Sequence, residues 1–403
     1  MDKSAFFADA RRDLKGPLDG LRVVEATTTW AGPMAGCVLA DFGATVIKVE
    51  HPEGEVLRRV PPTLPDSRLS LFHETVNRNK QNVSLNLRHA EGRRLFLELC
   101  RTADCVIENF KPGTLAAWGV GYAEVAAVKP DIVYVSISGY GQFGPLSDRP
   151  GYDPIAQNYS GWSSLNGAPD DGPTKAPTFL GDDLAGVHGA MGAMAALIHR
   201  MRTGEGQHVD IALSDALIFQ SDGLLAAGAL GIPMKRWANQ FAIAAPVNRY
   251  ACKDGHIYGG VLLDSHWKSL CELMGRPELA EARAAERLAR RDELDAVVAA
   301  WCATRSTAEV VGLWTAAGVA VTRVNTFAEA AHEPQLLARD MLQDTELTDG
   351  TRAPLVGPAA KFSRTPVKVR HAAPALGQDN AEVFGAMGLD AAALERLRAD
   401  GAL

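Results

Sequence analysis

Short runs of β-branched residues recur between helix-length stretches through the first half of this 403-residue chain, and that alternation limits its fold more than anything else. Leu21 to Glu25 reads LRVVE and Thr45 to Glu50 reads TVIKVE. The Gly/Ala-rich stretch from Ala31 to Gly43 between them has room for about three helical turns, which makes one βαβ unit. A second unit follows: an amphipathic stretch from Ala90 to Thr102, a short buried strand at Cys105 to Glu108 (CVIE), a helix starting at Gly113 to Trp118, and a strand at Asp131 to Ser138 (DIVYVSIS). Strands that alternate with helices belong to a parallel sheet covered on both faces, so the chain is of the α/β class.

From Gly139 to Pro177 the sequence is rich in Gly, Pro, Ser and Asn, much longer than the usual connection of about 4 to 6 residues, and ordered loops of that length carry function. Gly186 to Arg202 (GVHGAMGAMAALIHRMR) then reads as a small-residue helix able to pack closely, and His208 to Leu213 as a further strand. Beyond Gly223 the pattern turns helical, with a strand pair around Tyr250 to Leu263 broken at Lys253-Asp254-Gly255. Residues 1–224 are expected to form the first part of a large domain and 225–330 a smaller one. The Pro-containing segment 331–403, ending in a helix from Asp379 to Leu397, is expected to return to the large domain.

With 41 Lys+Arg against 48 Asp+Glu, the net charge of −7 provides no broad basic surface for nucleic acid. An anionic ligand must therefore meet a local patch. The six cysteines form no C-x-x-C pair, and nowhere do about 18 uninterrupted apolar residues occur, so a reduced, cytoplasmic protein without a membrane partner is expected. No G-x-G-x-x-G follows the first strand, where the sequence is ATTTWAGP from Ala26, and no phosphate loop, G-x-S-x-G elbow or H-E-x-x-H helix is present. Nicotinamide and metal chemistry are accordingly not expected.

The stretch that stands out is Phe179-Leu180-Gly181-Asp182-Asp183-Leu184-Ala185-Gly186, two carboxylates after a glycine at the mouth of the small-residue helix. One aspartate there can simply cap the helix, contributing on the order of 1 kcal/mol. Alternatively Asp182, kept ionised by the positive helix end, is an exposed nucleophile.

These segments, taken in order, resemble the class III coenzyme A transferases, the family of formyl-CoA and carnitine CoA-transferases and of the related α-methylacyl-CoA racemases. The resemblance covers almost the whole chain: PLDGLRVVE from Pro17, AGPMAG from Ala31, LADFGATVIKVEHPEG from Leu39, NRNKQNVSLNL from Asn77, ENFKPGTL from Glu108, SGYGQFGP from Ser138, DRPGYDPIAQ from Asp148, GDDLAGVHGAMG from Gly181, RTGEGQHVDIALSDA from Arg202 and APALGQDNAEVF from Ala373. It implies a Rossmann-like parallel sheet in the large domain, a smaller α/β domain, and two chains interlocked like rings as a homodimer, or a heteromer with a related subunit. It implies an acyl-CoA and a carboxylic acid as substrates, with coenzyme A carried between acids. The family's G-D-x-x-x-G pattern falls on Gly181, Asp182 and Gly186, which makes Asp182 the acyl acceptor. Positions matching coenzyme A contacts are Trp30, His51, Leu85, Arg88, Asn109, Phe110, Trp118 and Tyr140, with Arg58 and Lys80 as nearby basic supports.

The sequence also departs from that pattern. Formyl-CoA transferases have Gln at the position of Trp30 and Arg at that of Ala117, and their run of glycines in a small-domain loop shrinks here to Gly259-Gly260 before Val261-Leu262-Leu263. A less mobile, more apolar lid over a larger acid is expected. The racemase branch uses a G-H-D histidine where this chain has Gly151-Tyr152-Asp153, and a phenol with a pKa near about 10 is a poorer acid/base partner than imidazole. A CoA-transferase is the leading expectation; a racemase or isomerase, and a catalytically silent CoA-binding subunit, stand as alternatives.

Overall fold

The computed structural model describes residues 2–403. Six parallel strands form one sheet: β1 (Arg22–Ala26), β2 (Thr45–Glu50), β3 (Gln81–Ser84), β4 (Cys105–Glu108), β5 (Val133–Ser138) and β6 (Gln207–Ala212), in the order β3-β2-β1-β4-β5-β6. The helices that position the site are α1 (Ala31–Asp41), α2 (Leu71–Asn77), α3 (Ala90–Arg101), α4 (Asp153–Tyr159), α5 (Leu180–Thr203) and α6 (Leu213–Phe219). Successive strand residues point to opposite faces, and the core divides accordingly. Val24, Ile47 and Val106 join α3's Leu95 and Phe96 on one face, while Val23, Val46, Cys105 and Ile107 meet Ala35 of α1 and Ala190 and Ala193 of α5 on the other.

The small residues of α1 and α5 let the two helices touch. A Cβ at Gly186 would lie 2.7 Å from the side chain of Met34, too close for any real contact. Helix α5 begins at Leu180, six residues before the expected start at Gly186, which places Gly181, Asp182 and Asp183 inside its first turn. The expected loop from 139 to 177 contains α4 and a 3-10 turn at Trp162–Leu165.

One compact unit takes the chain up to Ser163, Lys175–Ile232 and Leu337–Leu403. Its C-terminal part covers the edge strand β3. The Asn82 N–H donates to Asp379 Oδ2 at 2.6 Å, Ser84 N–H to the Asn380 side chain at 2.9 Å, and Asn86 N–H to the Ala402 carbonyl at 2.9 Å. An exposed strand edge would otherwise invite pairing with another chain. The single helix expected from Asp379 to Leu397 is two, Asn380–Gly385 and Ala391–Ala399, because Gly388 adopts a left-handed φ of 90° between them.

The second unit comprises Ser164–Thr174 and Pro233–Leu336, so the expected boundaries at 225 and 330 both shift toward the C-terminus and a piece of the long loop joins the middle segment. Arg236 explains that piece: its guanidinium donates to the carbonyls of Ser164, Ala168, Pro169 and Asp171. An antiparallel sheet of β7 (Val247–Cys252), β8 (Gly255–Gly260) and β9 (Ala320–Arg323) packs around buried Trp267 and Trp314. Gly259 and Gly260 therefore sit in the central strand of this sheet. A Cβ on them would lie 2.7 Å from the Ala320 carbonyl and 2.4 Å from that of Pro246, so close backbone approach is the reason for both glycines.

Candidate active site

Helix α5 presents Asp182 and Asp183 in its first turn, where backbone N–H groups lack helical partners. One of those donors is already taken. Buried Asp153, at the start of α4, accepts from Gly181 N–H at 2.7 Å and from Gln157 Nε2 at 2.8 Å. Asp183 accepts from the indole Nε1 of Trp30 at 2.6 Å. Asp182 accepts no hydrogen bond among the described residues and is partly buried. The exposed carboxylate kept ionised by the helix end is thus corrected: burial first, then the charges of Asp153 and Asp183, push its pKa up to about 7. Near neutral pH both its protonation states are populated, and the ionised form has a free oxygen with which to attack.

Trp30 belongs to this constellation. It stands edge-on to Phe72 with ring centroids 5.5 Å apart and tilted against Phe179 at 4.9 Å, forming an aromatic wall beside the helix mouth. The loop carrying it, Thr27 to Trp30, is held from three sides. Asn109 accepts from Thr28 N–H at 2.9 Å and donates to the Thr28 carbonyl at 2.8 Å, Glu55 accepts from Thr29 N–H at 2.8 Å, and Lys48 donates to the Thr27 carbonyl at 3.1 Å.

A cavity of about 390 Å³ gathers five of the residues expected to contact coenzyme A: His51, Leu85, Arg88, Phe110 and Trp118. Thr27 and Thr28 line it as well, so one short loop links the cavity to the carboxylates. The Arg88 guanidinium lies 4.9 Å from the centre of the Trp118 ring, and Phe110 is edge-on to the same ring at 5.3 Å. His51 is exposed and its Nδ1 accepts from Glu53 N–H at 3.3 Å. Leu85 is a buried floor residue.

The remaining expected contacts are placed elsewhere. Tyr140 is half-buried, edge-on to Tyr159 at 5.1 Å, and does not line the cavity. Both amide functions of Asn109 are spent on Thr28, so it shapes the loop. Arg58 holds buried Glu50 through two contacts, at 2.6 and 2.8 Å, and also donates to the Pro374 carbonyl at 3.2 Å. Lys80 contradicts the expectation outright. Its ammonium has no exposed surface and sits 2.8 Å from Glu25 and 2.8 Å from the Pro33 carbonyl, so it neutralises an internal acid and cannot meet a phosphate.

That internal acid belongs to a charge network that inspection of the sequence missed. Fully buried Lys48 bridges Glu25 at 3.4 Å and Glu55 at 3.2 Å. Burial alone would lower its pKa, but Glu55, Glu25 and Glu50 outweigh it and hold it high; for Lys80 burial wins and the pKa falls. Glu50 is held near about 2 because Arg58 and Lys48 overcome burial, whereas burial drives His73 down to about 2 and leaves it neutral. Glu50, Glu55 and His73 bring three possible metal-ligating atoms within 4.8 Å of one another. Arg58, Lys48 and backbone donors already satisfy those carboxylates, so the trio does not fit a cation without breaking the network.

A model of CoA-transferase family III matches residues 18–380. The chain belongs to this family. It is a class III CoA-transferase, as its relatives and its structural neighbours also indicate. The succinate–glutarate CoA-transferase of Agrobacterium fabrum is 35% identical over 384 residues, covering 92% of this chain and 95% of that protein. The beta subunit of succinyl-CoA–L-malate CoA-transferase from Chloroflexus aurantiacus is 35% identical over 379 residues, covering 91% and 93%. A crystal structure of a CAIB/BAIF family protein from Brucella suis superposes with a TM-score of 0.84 at 33% identity, covering 93% of this chain and all of that one.

For this CoA-transferase, Arg88 offers an early test of the cavity. Arg88→Ala is expected to raise KM for acyl-CoA about tenfold, equivalent to about 1.4 kcal/mol, with kcat little changed. The effect should shrink as salt screens the exposed cation. Steady-state kinetics at two ionic strengths check it.

Proposed function

We infer that this CoA-transferase moves coenzyme A from a donor thioester of the succinyl-CoA type to an acceptor carboxylic acid, with Asp182 as the acyl acceptor. The observation that carries the reading is a half-buried carboxylate in the first turn of α5 that accepts no hydrogen bond among the described residues, its pKa raised to about 7 so that the anion is more basic than an ordinary carboxylate. An oxygen of Asp182 attacks the thioester carbonyl, the C–S bond breaks, and a mixed anhydride forms as the electron pair leaves on coenzyme A sulfur. The thiolate then attacks the aspartyl carbonyl of the anhydride, releasing the donor acid and leaving an aspartyl–CoA thioester. The acceptor carboxylate attacks that thioester, and thiolate attack on the acceptor side of the second anhydride gives the product and restores Asp182. No water enters, so the acyl energy is conserved only while the site stays dry.

Coenzyme A is assigned to the cavity lined by His51, Leu85, Arg88, Phe110 and Trp118, with the aromatic rings toward the base and Arg88 toward phosphate. Two named relatives act with succinyl-CoA and a hydroxy- or dicarboxylic acid, which supports that donor class. The racemase alternative wants a second acid/base where this chain has Tyr152, a phenol that is largely exposed. Mass spectrometry of the CoA thioesters formed from succinyl-CoA and a panel of acids tests the proposal. New thioesters only with added acid are expected, and α-deuterium uptake without any acceptor would overturn it.

The assembly is proposed to be an interlocked homodimer, or a pair with a related subunit as the names of the Chloroflexus aurantiacus alpha and beta chains suggest for those proteins. Val187, Met191, Ile198 and Met201 leave an apolar stripe open along α5, and Phe219, Leu225 and Leu230 extend it. A Met191→Asp and Ile198→Asp double variant is expected to elute as a monomer in light-scattering chromatography, and an unchanged dimer would remove this stripe from the interface.

A further inference from the structure

Asp183 and Trp30 have no task in the reaction as derived, yet the fold joins them across 153 positions of chain by a hydrogen bond of 2.6 Å. That length lies at the short end for a charged acceptor. The indole has little freedom, since it is gripped by Phe72 and Phe179, which also meet each other at 5.4 Å. Its backbone is fixed as well: Thr29 is held at a left-handed φ of 62°, and its N–H is tied to Glu55, itself anchored by buried Lys48. Helix capping does not account for this effort. Asp153 already serves Gly181, and the Asp183 N–H bonds to the Phe179 carbonyl at 2.8 Å.

We propose that Trp30 and Asp183 are a positioning pair for acyl transfer: the indole holds Asp183 as a fixed anion beside Asp182, so that turning Asp182 into a neutral anhydride or thioester relieves like-charge repulsion in a desolvated crevice. The proposal rests on Asp182 being the acyl acceptor. In the first step the negative charge passes from Asp182 to the departing sulfur; burial raises the pKa of Asp183, and the hydrogen bond from Trp30 opposes that rise and favours its anion. Protonation of Asp182 relieves the same repulsion, which agrees with the upward shift of its pKa by burial, Asp153 and Asp183. The packed elements also carry Cys37 and Asp41 on α1, Tyr159 on α4, His188, His199, Arg200 and Arg202 on α5 itself, Tyr134 on β5, His208 and Asp210 on β6, and Asp215 on α6; the causes of the shift are burial, Asp153 and Asp183.

The test is the rate of acylation of Asp182 by succinyl-CoA, trapped with hydroxylamine and located by mass spectrometry, from about pH 5 to 9. Only ionised Asp182 attacks, so the wild-type rate should rise with pH through about 7. In Asp183→Asn the rise is expected about one pH unit lower, with a slower plateau, because a like charge has gone. In Trp30→Phe, which keeps the ring and loses the donor, Asp183 takes a proton more readily, and the rise should move the same way by less. Trp30→Phe carries the same readout should Asp183→Asn not fold. Label at Asp182 with an unmoved rise in both variants, whatever their loss of rate, would overturn the pairing and leave the acceptor intact. Wild-type turnover without label at Asp182 would overturn the acceptor assignment, and the pairing with it.

Discussion

Asp182→Asn and Asp182→Ala are expected to lose turnover by at least about 10³-fold while binding coenzyme A as the parent does. The amide keeps the shape of the helix mouth, and Asp182 does not line the cavity containing Arg88 and Trp118. Turnover assays paired with calorimetric titration of coenzyme A separate the two effects; near-normal turnover in either variant would sink the covalent route. The same substitution should stabilise the fold. A carboxyl whose folded-state pKa is raised from 3.8 to about 7 costs nothing below its unfolded pKa, and the penalty grows as pH rises between those values. Above pH 7 the gain in Asp182→Asn has an upper bound on the order of 4 kcal/mol. Urea midpoints at pH 8 and pH 4 should therefore diverge and converge respectively.

The second large effect is at Lys80. Lys80→Ala leaves Glu25 and Glu55 to share Lys48 in an interior without solvent, and removal of one partner from such a network costs about 3–5 kcal/mol. A lower denaturant midpoint is expected. A phosphate-binding lysine would behave in the opposite way, raising KM for acyl-CoA with the midpoint unmoved, so one pair of measurements decides between the two roles.

Lys80 also shows where sequence reading stops. In one dimension a lysine in NRNKQN looks like a solvated charge, and nothing local reveals that Glu25, on a strand about 55 positions earlier, points at it. The strand β3 was hidden for a related reason. Its Asn82 looks unsuited to a buried strand, yet the amide donates to Glu50 at 2.8 Å and accepts from Gly377 N–H at 2.7 Å. Apolar strands needed no such partners: LRVVE, TVIKVE, CVIE and DIVYVSIS are all strands in the structure, because hydrophobic runs between helices have few other ways to be buried. Asp182 was legible as a motif, but its environment was not. Burial, Asp153 from 29 positions away and the adjacent Asp183, itself bonded to the indole of Trp30, make a more basic, half-hidden group of what the motif presents as a helix-end anion.

The sealing of β3 by residues 379–402 has a consequence for biosynthesis. On the ribosome, the strand emerges almost 300 residues before the groups that cover it, as the separation of 297 between Asn82 and Asp379 records. Through that interval a nascent chain carries an open sheet border that a chaperone, or another nascent copy, can occupy. Messages truncated before codon 379 should yield insoluble product even though every strand of the parallel sheet has been translated.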